Sequence, residues 1–325
     1  MREFQLIDRL AARLAARRAD TQLTIGDDAA VVAPEPGEVL AITTDTLISG
    51  RHFPDDTPAF DIGWKAIAVN LSDLAAMGAA PAWLTVALST PVLDGPWCND
   101  FVDGALAAIG DAAVDIVGGD TTRGPLSITV TAIGMLPAGA ALTRAGAVPG
   151  DVVAVTGTLG DAAKGLGLWP ARADRGDDPD TAFLLRRLAR PQWRNGAAVR
   201  ALAHAGIDVS DGFGADLGHV LAASGVGARI ELAALPTSEA LRRRAATDEE
   251  RRDLQWRGGD DYELCLTLPA ASVDAARARL DCGLTVVGVI ESEPGLRVVD
   301  AHGRRCPPFE SDAAGWDHFG GRGAV

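Results

Sequence analysis

Val114-Asp115-Ile116-Val117-Gly118-Gly119-Asp120 is an apolar run stopped by two glycines and an acid, and reading it decides the fold class. Residues 114–117 read as a strand, and the ends of such strands are where α/β proteins build their sites. Outward from it, the pattern predicts a helix over 98–112 and a longer strand from Ser127 to Leu136. Upstream, Val39 to Ile42 reads as a buried strand closing in Thr43-Thr44-Asp45, residues 59–77 as an alanine-rich helix, and Trp83 to Leu88 as a strand. Phe4, Ile7, Leu10 and Leu14 recur at helical spacing, which predicts an amphipathic helix over 3–18.

Pro137 to Gly150, rich in Gly, Ala and Pro, reads as a hinge. Beyond it the alternation restarts with the strand Val152 to Val155, helical segments at 181–190 and 195–205, and a helix near 214–224. The strands Ala228 to Leu232, Tyr262 to Leu268 and Leu284 to Ile290, with a helix at 270–280, complete it. The charged stretch 171–180 reads as a mobile loop. A second Gly-Gly-Asp at 258–260 hints at duplication. The expected architecture is α+β: two α/β domains with mixed sheets and the active site in the cleft.

The 325 residues, 47% of them hydrophobic, can bury two such cores. With 44 acidic against 30 basic residues the net charge is −14, which argues against nucleic acid or a membrane surface as partner. Met1-Arg2-Glu3-Phe4-Gln5 lacks the apolar core of a signal peptide, and Cys98, Cys265, Cys282 and Cys306 form no metal-binding pair. A cytoplasmic protein is expected.

Asp27 and Asp28, Asp45, Asp73, Asp120, Asp208 and Asp211, and Asp260 and Asp261 stand in short runs beside Gly, Ser or Thr. Gathered carboxylates repel by about 4 kcal/mol per pair at roughly 4 Å and an effective dielectric near 20. Hard oxygen ligands with room for water favour Mg²⁺, and Mg²⁺ on carboxylates suggests a polyphosphate. Asp73 lies among Ala66, Val69, Leu71 and Leu74, where a charge is costly unless paired or metal-bound; its bland reading is an exposed helix position. Asp120 follows glycines that let a ligand approach the backbone. Asp208 and Asp211 bracket a second metal or the nucleotide, or Asp211 caps the following helix. Gly160-Asp161-Ala162-Ala163-Lys164-Gly165 has the wrong spacing for a phosphate loop.

Taken together, Ile25-Gly26-Asp27-Asp28-Ala29-Ala30, Thr43-Thr44-Asp45-Thr46-Leu47, His52-Phe53, Asn70-Leu71-Ser72-Asp73-Leu74-Ala75-Ala76-Met77-Gly78-Ala79, Gly118-Gly119-Asp120-Thr121-Thr122, Leu142-Thr143-Arg144, Asp208-Val209-Ser210-Asp211-Gly212 and Gly258-Gly259-Asp260-Asp261-Tyr262-Glu263-Leu264 resemble the bacterial thiamine-monophosphate kinases. These belong to the aminoimidazole-ribonucleotide-synthetase-like superfamily. The resemblance implies an N-terminal ATP- and metal-binding dimerisation domain over 1–137, a linker over 138–150 and a C-terminal domain over 151–325 that closes the active site. It implies a homodimer whose N-terminal sheets pair into a β-barrel.

The implied reaction takes ATP and thiamine monophosphate to ADP and thiamine diphosphate. Asp28, Thr43, Thr44, Asp45, Asp73, Asp120, Asp208 and Asp211 are implied to hold several Mg²⁺ ions; a K⁺ requirement is left open. Asp45, Asp73, Asp120 and Asp211 are the carboxylates expected to carry catalysis. Gly119, Asp120, Arg144 and Ser210 are implied to contact ATP, and His52, Asp260 and Trp316 the thiamine end, where Trp316 offers a flat face to a cationic ring. One departure is Asp260, where the family is expected to carry Glu; the contact then passes through water or to Asp261. The alternatives are an enzyme of the same superfamily with another acceptor, and a non-catalytic sensor of divalent cation or nucleotide.

Overall fold

The computed structural model describes residues 13, 14, 16–175 and 178–310. Most of the helix expected over 3–18, and Trp316, lie outside them. The described residues divide into two compact units: those up to Leu74 with Ala79–Ala140, and Ala75–Gly78 with those from Ala141 to Glu310.

In the first unit, β1 (Thr21–Leu23) and β2 (Val31–Val32) make a small antiparallel pair beside a larger sheet. That sheet has the order β3-β6-β4-β5, with β3 (Glu38–Ile48), β4 (Ala80–Thr90), β5 (Asp115–Arg123) and β6 (Ser127–Pro137). β4 and β5 run parallel, joined through a helix, and the other pairs are antiparallel. This four-stranded sheet has β3 and β5 at its edges and does not close into a barrel. α1 (Ala59–Ala76) buries Ile62, Ile67, Leu71 and Leu74, each worth about 1.5–3 kcal/mol on burial. α2 (Gly95–Ile109) starts at Asp94, whose side chain accepts from Trp97 N. The two helices touch backbone to backbone, because a Cβ on Gly63 would lie 2.0 Å from Phe101 O and one on Gly104 1.8 Å from Phe60 O.

The second unit contains β7 (Val152–Thr156), α3 (Asp161–Leu168), α4 (Pro179–Ala189), β8 (Ala205–Asp208), α5 (Phe213–Ser224), β9 (Gly227–Glu231), α6 (Glu239–Arg244), α7 (Asp248–Arg257), β10 (Leu264–Leu268), α8 (Val273–Arg277), β11 (Leu284–Glu291) and β12 (Gly295–Val299). Its sheet has the order β12-β9-β11-β7-β10-β8 and is mixed, with β12 and β9 parallel. Side chains alternate across it. Val153, Val155 and Ile207 pack with Phe213, Leu217 and Val220 of α5, while Ala154, Leu264, Leu266 and Leu268 pack with Val273 and Ala276 of α8.

Several sequence expectations change. β3 does not end at Thr43 but continues through Asp45 to Ile48, and it is an exposed edge strand, with Leu40 41% and Ile42 63% exposed. β5 likewise runs through Gly118, Gly119 and Asp120. The helix expected over 195–205 is two 3₁₀ turns, Gly196–Ala198 and Arg200–Leu202, because Asn195 Oδ1 accepts from Ala198 N and tightens the chain. At 171–180 a 3₁₀ turn reaches Arg175 and α4 starts at Pro179. β10 starts at Leu264 rather than Tyr262, since Asp260 and Tyr262 are left-handed, with φ of 67° and 52°. Among the described residues no helix is long and apolar enough to cross a membrane.

Candidate active site

In the first unit, period-two alternation aims Thr43 and Asp45 at α1. Thr43 Oγ1 donates to Asp73 Oδ2 at 2.5 Å. The Asp45 amide donates to Oδ1 of Asn70, a side chain 1% exposed, at 3.0 Å. Asn70 Nδ2 in turn donates to Ala66 O at 2.9 Å, so both ends of that amide are held. Thr43, Asp45 and Asp73 therefore meet where β3 faces α1.

Thr44 points to the opposite face. Its hydroxyl pairs with Thr131 Oγ1 at 2.9 Å, and the next rung joins Thr46 to Thr129 at 2.8 Å. The Thr44 side chain is thus turned away from Asp45 and Asp73. Asp28 is exposed in a turn, with its amide donating to Asp27 Oδ1 at 2.8 Å.

Register places Asp120 elsewhere. The row Thr46–Thr129–Ala87–Asp120 crosses the four strands, so Asp120 shares the face of Thr46 and Thr44 and not that of Asp45. Three strand spacings separate β3 from β5, about 14 Å. Within one chain Asp120 is not brought to Asp45 and Asp73. The close approach at Gly119 is also not a ligand's: a Cβ there would lie 1.9 Å from Val86 O, so the glycine admits β4. His52 Nδ1 accepts from Ile48 N at 3.0 Å, which puts the proton of the neutral ring on Nε2. Lys65 Nζ, on a side chain 2% exposed, donates to His52 O at 3.1 Å.

In the second unit, β8 ends at buried Asp208 and the chain turns through Ser210 and Asp211 into α5. Gly212 is the N-cap and supplies no side chain, so Asp211 does not cap this helix. Asp216 Oδ2 instead reaches back and accepts from Ser210 N and Asp211 N, both at 3.1 Å. Burial, then the charges of Asp211 and Asp208, push the Asp216 carboxyl up to about 8. The sequence signal for Asp216 was the one that singled out Asp73: an acid inside an apolar helical run.

The loop Gly258–Glu263 lies over this turn, with Asp260 N donating to Ser210 O at 2.9 Å and Tyr262 N to Val209 O at 2.8 Å. Tyr262 Oη donates to Asp260 Oδ1 at 3.2 Å. Asp261, between them, is 1% exposed and accepts from Gly160 N at 2.7 Å. The start of α3 thus holds the protein's own carboxyl group where a phosphate-binding loop would hold its ligand. Asp261 is committed there and does not replace Asp260 at a ligand.

Burial raises the Asp261 carboxyl well above its usual range, although Arg187 opposes this. The folded state then keeps a proton that the unfolded chain loses above about pH 4, so this group's contribution falls as pH rises. Asp261→Asn removes that slope. Thermal melts should show the variant gaining on the parent as pH rises above about 4. A difference independent of pH would contradict the buried acid.

Not every expected group converges. Arg144 is exposed; Ser224 Oγ at the end of α5 donates to its carbonyl at 3.1 Å, whereas Ser210 lies at the start of α5, about 16 Å away along the helix. Among the described residues no three His, Cys, Asp or Glu side chains form a ready metal cage. The donors that do meet are hard oxygens, two or three to a set, which suits Mg²⁺ completed by phosphate and water.

Residues 26–136 match the family of the AIR synthase related protein, N-terminal domain, and residues 148–301 the C-terminal domain of the same family. Thiamine-monophosphate kinase of Escherichia coli K12 is 46% identical over 98% of both chains, and that of Salmonella typhimurium 44% over the same shares. The crystal structure of thiamine-monophosphate kinase from Stenotrophomonas maltophilia K279a superposes with a TM-score of 0.86 at 48% identity, covering 94% of this chain and 98% of that one. The structure "AaThiL complexed with AMPPCP and TMP" gives 0.78 at 30% identity over 98% and 99%.

Proposed function

This chain belongs to the thiamine-monophosphate kinase family, and from that premise we propose how its residues perform the transfer. The protein is an ATP-dependent kinase that phosphorylates thiamine monophosphate to thiamine diphosphate. The observation that carries this is full-length kinship with enzymes of that name, one of them a relative bound to AMPPCP and TMP.

The acceptor is itself a phosphate, largely ionised at neutral pH because its second pKa is about 6, so no side chain need act as base. Positioning and charge neutralisation remain as the protein's task. Thr43 orients the Asp73 carboxylate and Asn70 fixes the backbone at Asp45, which sets two anionic groups at one place on α1 and β3. Asp45 and Asp73, with the Thr43 hydroxyl, Thr44 and Asp28, are the proposed Mg²⁺ holders of the first unit, and Asp208 and Asp211 those of the second. Bound there, Mg²⁺ would supply charge neutralisation and Lewis acidity at the phosphates.

Ser210, Gly119, Asp120 and Arg144 are proposed for ATP, and His52, Asp260 and Trp316 for the vitamin. Arg144 is suited to fork onto a phosphate. The open sheet face that carries Leu40, Ile42, Ile48 and the threonine rungs supports a homodimer in which a second copy covers this sheet, Asp120 included, and forms the barrel. A domain division at 138–150 and a cytoplasmic site, where the four unpaired cysteines stay reduced, complete the proposal.

Purified protein given Mg²⁺, ATP and thiamine monophosphate should form thiamine diphosphate by chromatography, and should form none from free thiamine. Sedimentation equilibrium should return twice the mass of one chain. ATP turnover without that product would reassign the acceptor.

A further inference from the structure

Asp216 has no part in the roles above, yet it is the side chain that holds the Asp208–Asp211 turn in shape. It is 3% exposed in the first turn of α5, beside Phe213 and Leu217, which are fully buried. Its Oδ2 is shared between two consecutive amides, Ser210 N and Asp211 N. Nothing else on α5 caps that turn, because Gly212 has no side chain to give. From the other side the loop Gly258–Glu263 takes up Val209 and Ser210: Val209 N donates to Glu263 O at 2.8 Å, and the carbonyls of Val209 and Ser210 accept from Tyr262 and Asp260. The turn is therefore clamped on both sides, and the helix-side jaw is one carboxylate oxygen.

We propose that Asp216 is a positioning residue for the divalent cation: by tying down the Ser210–Asp211 amides it fixes the directions in which the Asp208 and Asp211 carboxylates project. This deepens the reading of Asp208 and Asp211 as cation holders and rests on it. Outer partners of this kind change cation affinity or turnover by about 10–100-fold when removed. The role needs an acceptor at this point, and Asn supplies one through Oδ1.

The test uses Asp216→Asn and Asp216→Ala in the full chain, with Mn²⁺ as the probe. Mn²⁺ binding is followed by electron paramagnetic resonance without nucleotide, alongside kcat and the KM for thiamine monophosphate. Asp216→Ala should weaken Mn²⁺ binding and lower kcat, each by about 10–100-fold, with the KM for thiamine monophosphate within twofold of the parent. Asp216→Asn should stay within about fivefold of the parent on every measure.

Parent-like Mn²⁺ affinity in a folded Asp216→Ala would overturn the proposal. So would an Asn variant as impaired as the Ala variant, since charge and not position would then be at work. Should Asp216→Ala fail to fold, Asp216→Ser, whose hydroxyl falls short of both amides, takes its place. Asp208→Asn and Asp211→Asn are measured in parallel. If they bind Mn²⁺ like the parent, the reading beneath the proposal fails; if they lose it while the Asp216→Ala or Asp216→Ser variant does not, the proposal alone fails.

Discussion

Asp73→Asn should lower kcat by roughly a hundred- to a thousandfold while leaving the melting temperature within about 2 °C of the parent. The substitution keeps an oxygen where Thr43 Oγ1 now donates at 2.5 Å, so the contact between α1 and β3 survives. What disappears is one negative charge at the place where Thr43, Asp45 and Asp73 meet. A site that gathers two phosphate-bearing substrates depends on cations, and cations depend on that charge. Thr43→Ala removes the orienting hydroxyl and leaves the charge, so its loss should be smaller, about tenfold. Steady-state assays over a range of Mg²⁺ concentration check both. Turnover near the parent's in Asp73→Asn, at limiting and saturating Mg²⁺ alike, would remove Asp73 from the reaction.

Glu263→Ala should act on stability instead, at about 3–5 kcal/mol, or a fall in melting temperature of roughly 10 °C. Glu263 is fully buried and accepts from Thr156 Oγ1 at 2.7 Å, Arg194 Nε at 2.7 Å and Arg187 Nη2 at 2.9 Å. Arg187 and Arg194 are themselves buried, so deleting the glutamate strands two guanidinium groups in a low-dielectric interior. Arg187 also lies 3.8 Å from Asp161, which takes hydrogen bonds from Thr158 and Ser238. Losing one member therefore unsettles the start of α3 and the strand β7 together. Glu263→Gln keeps one acceptor and should fall between parent and Ala. Denaturant titration decides the matter, and a loss below about 1 kcal/mol for Glu263→Ala would show that solvent reaches this cluster.

Much of the architecture was readable because burial writes its period into the chain. α1 was expected over 59–77 and runs from Ala59 to Ala76; β6 and β7 also lie where their apolar alternation put them. Thr43, Thr44 and Asp45, and Gly118 to Asp120, looked like strand exits because polar and glycine residues ordinarily punctuate strands. Here they are inside strands, since one face of the sheet is open and lined by threonine rungs. α7, Asp-Glu-Glu-Arg-Arg-Asp-Leu-Gln-Trp-Arg, escaped notice because it buries little more than Gln255 and Trp256.

At the site, Asp73 stands out as an acid in an apolar helix and Asp216 carries the same signal, whereas Asn70 acts through a backbone amide, which no spacing rule reveals. The separation of Asp120 from Asp45 depends on strand order, which is a tertiary property. The pairing of Glu263 with Arg187 and Arg194 spans about seventy residues and had no local trace.

Asp260 and Tyr262, left-handed on either side of Asp261, have a consequence for how this protein can change over generations. Backbone that reverses hand twice within three residues measures out chain length as a ratchet does. One tooth more or less would carry Asp261 out of its seat against Gly160 and turn Asp260 away from the Val209–Ser210 turn. Side chains at the outward positions can drift with the ligand they meet. Insertions and deletions between Gly258 and Glu263 cannot, so lineages of this enzyme should vary here in letters and not in number.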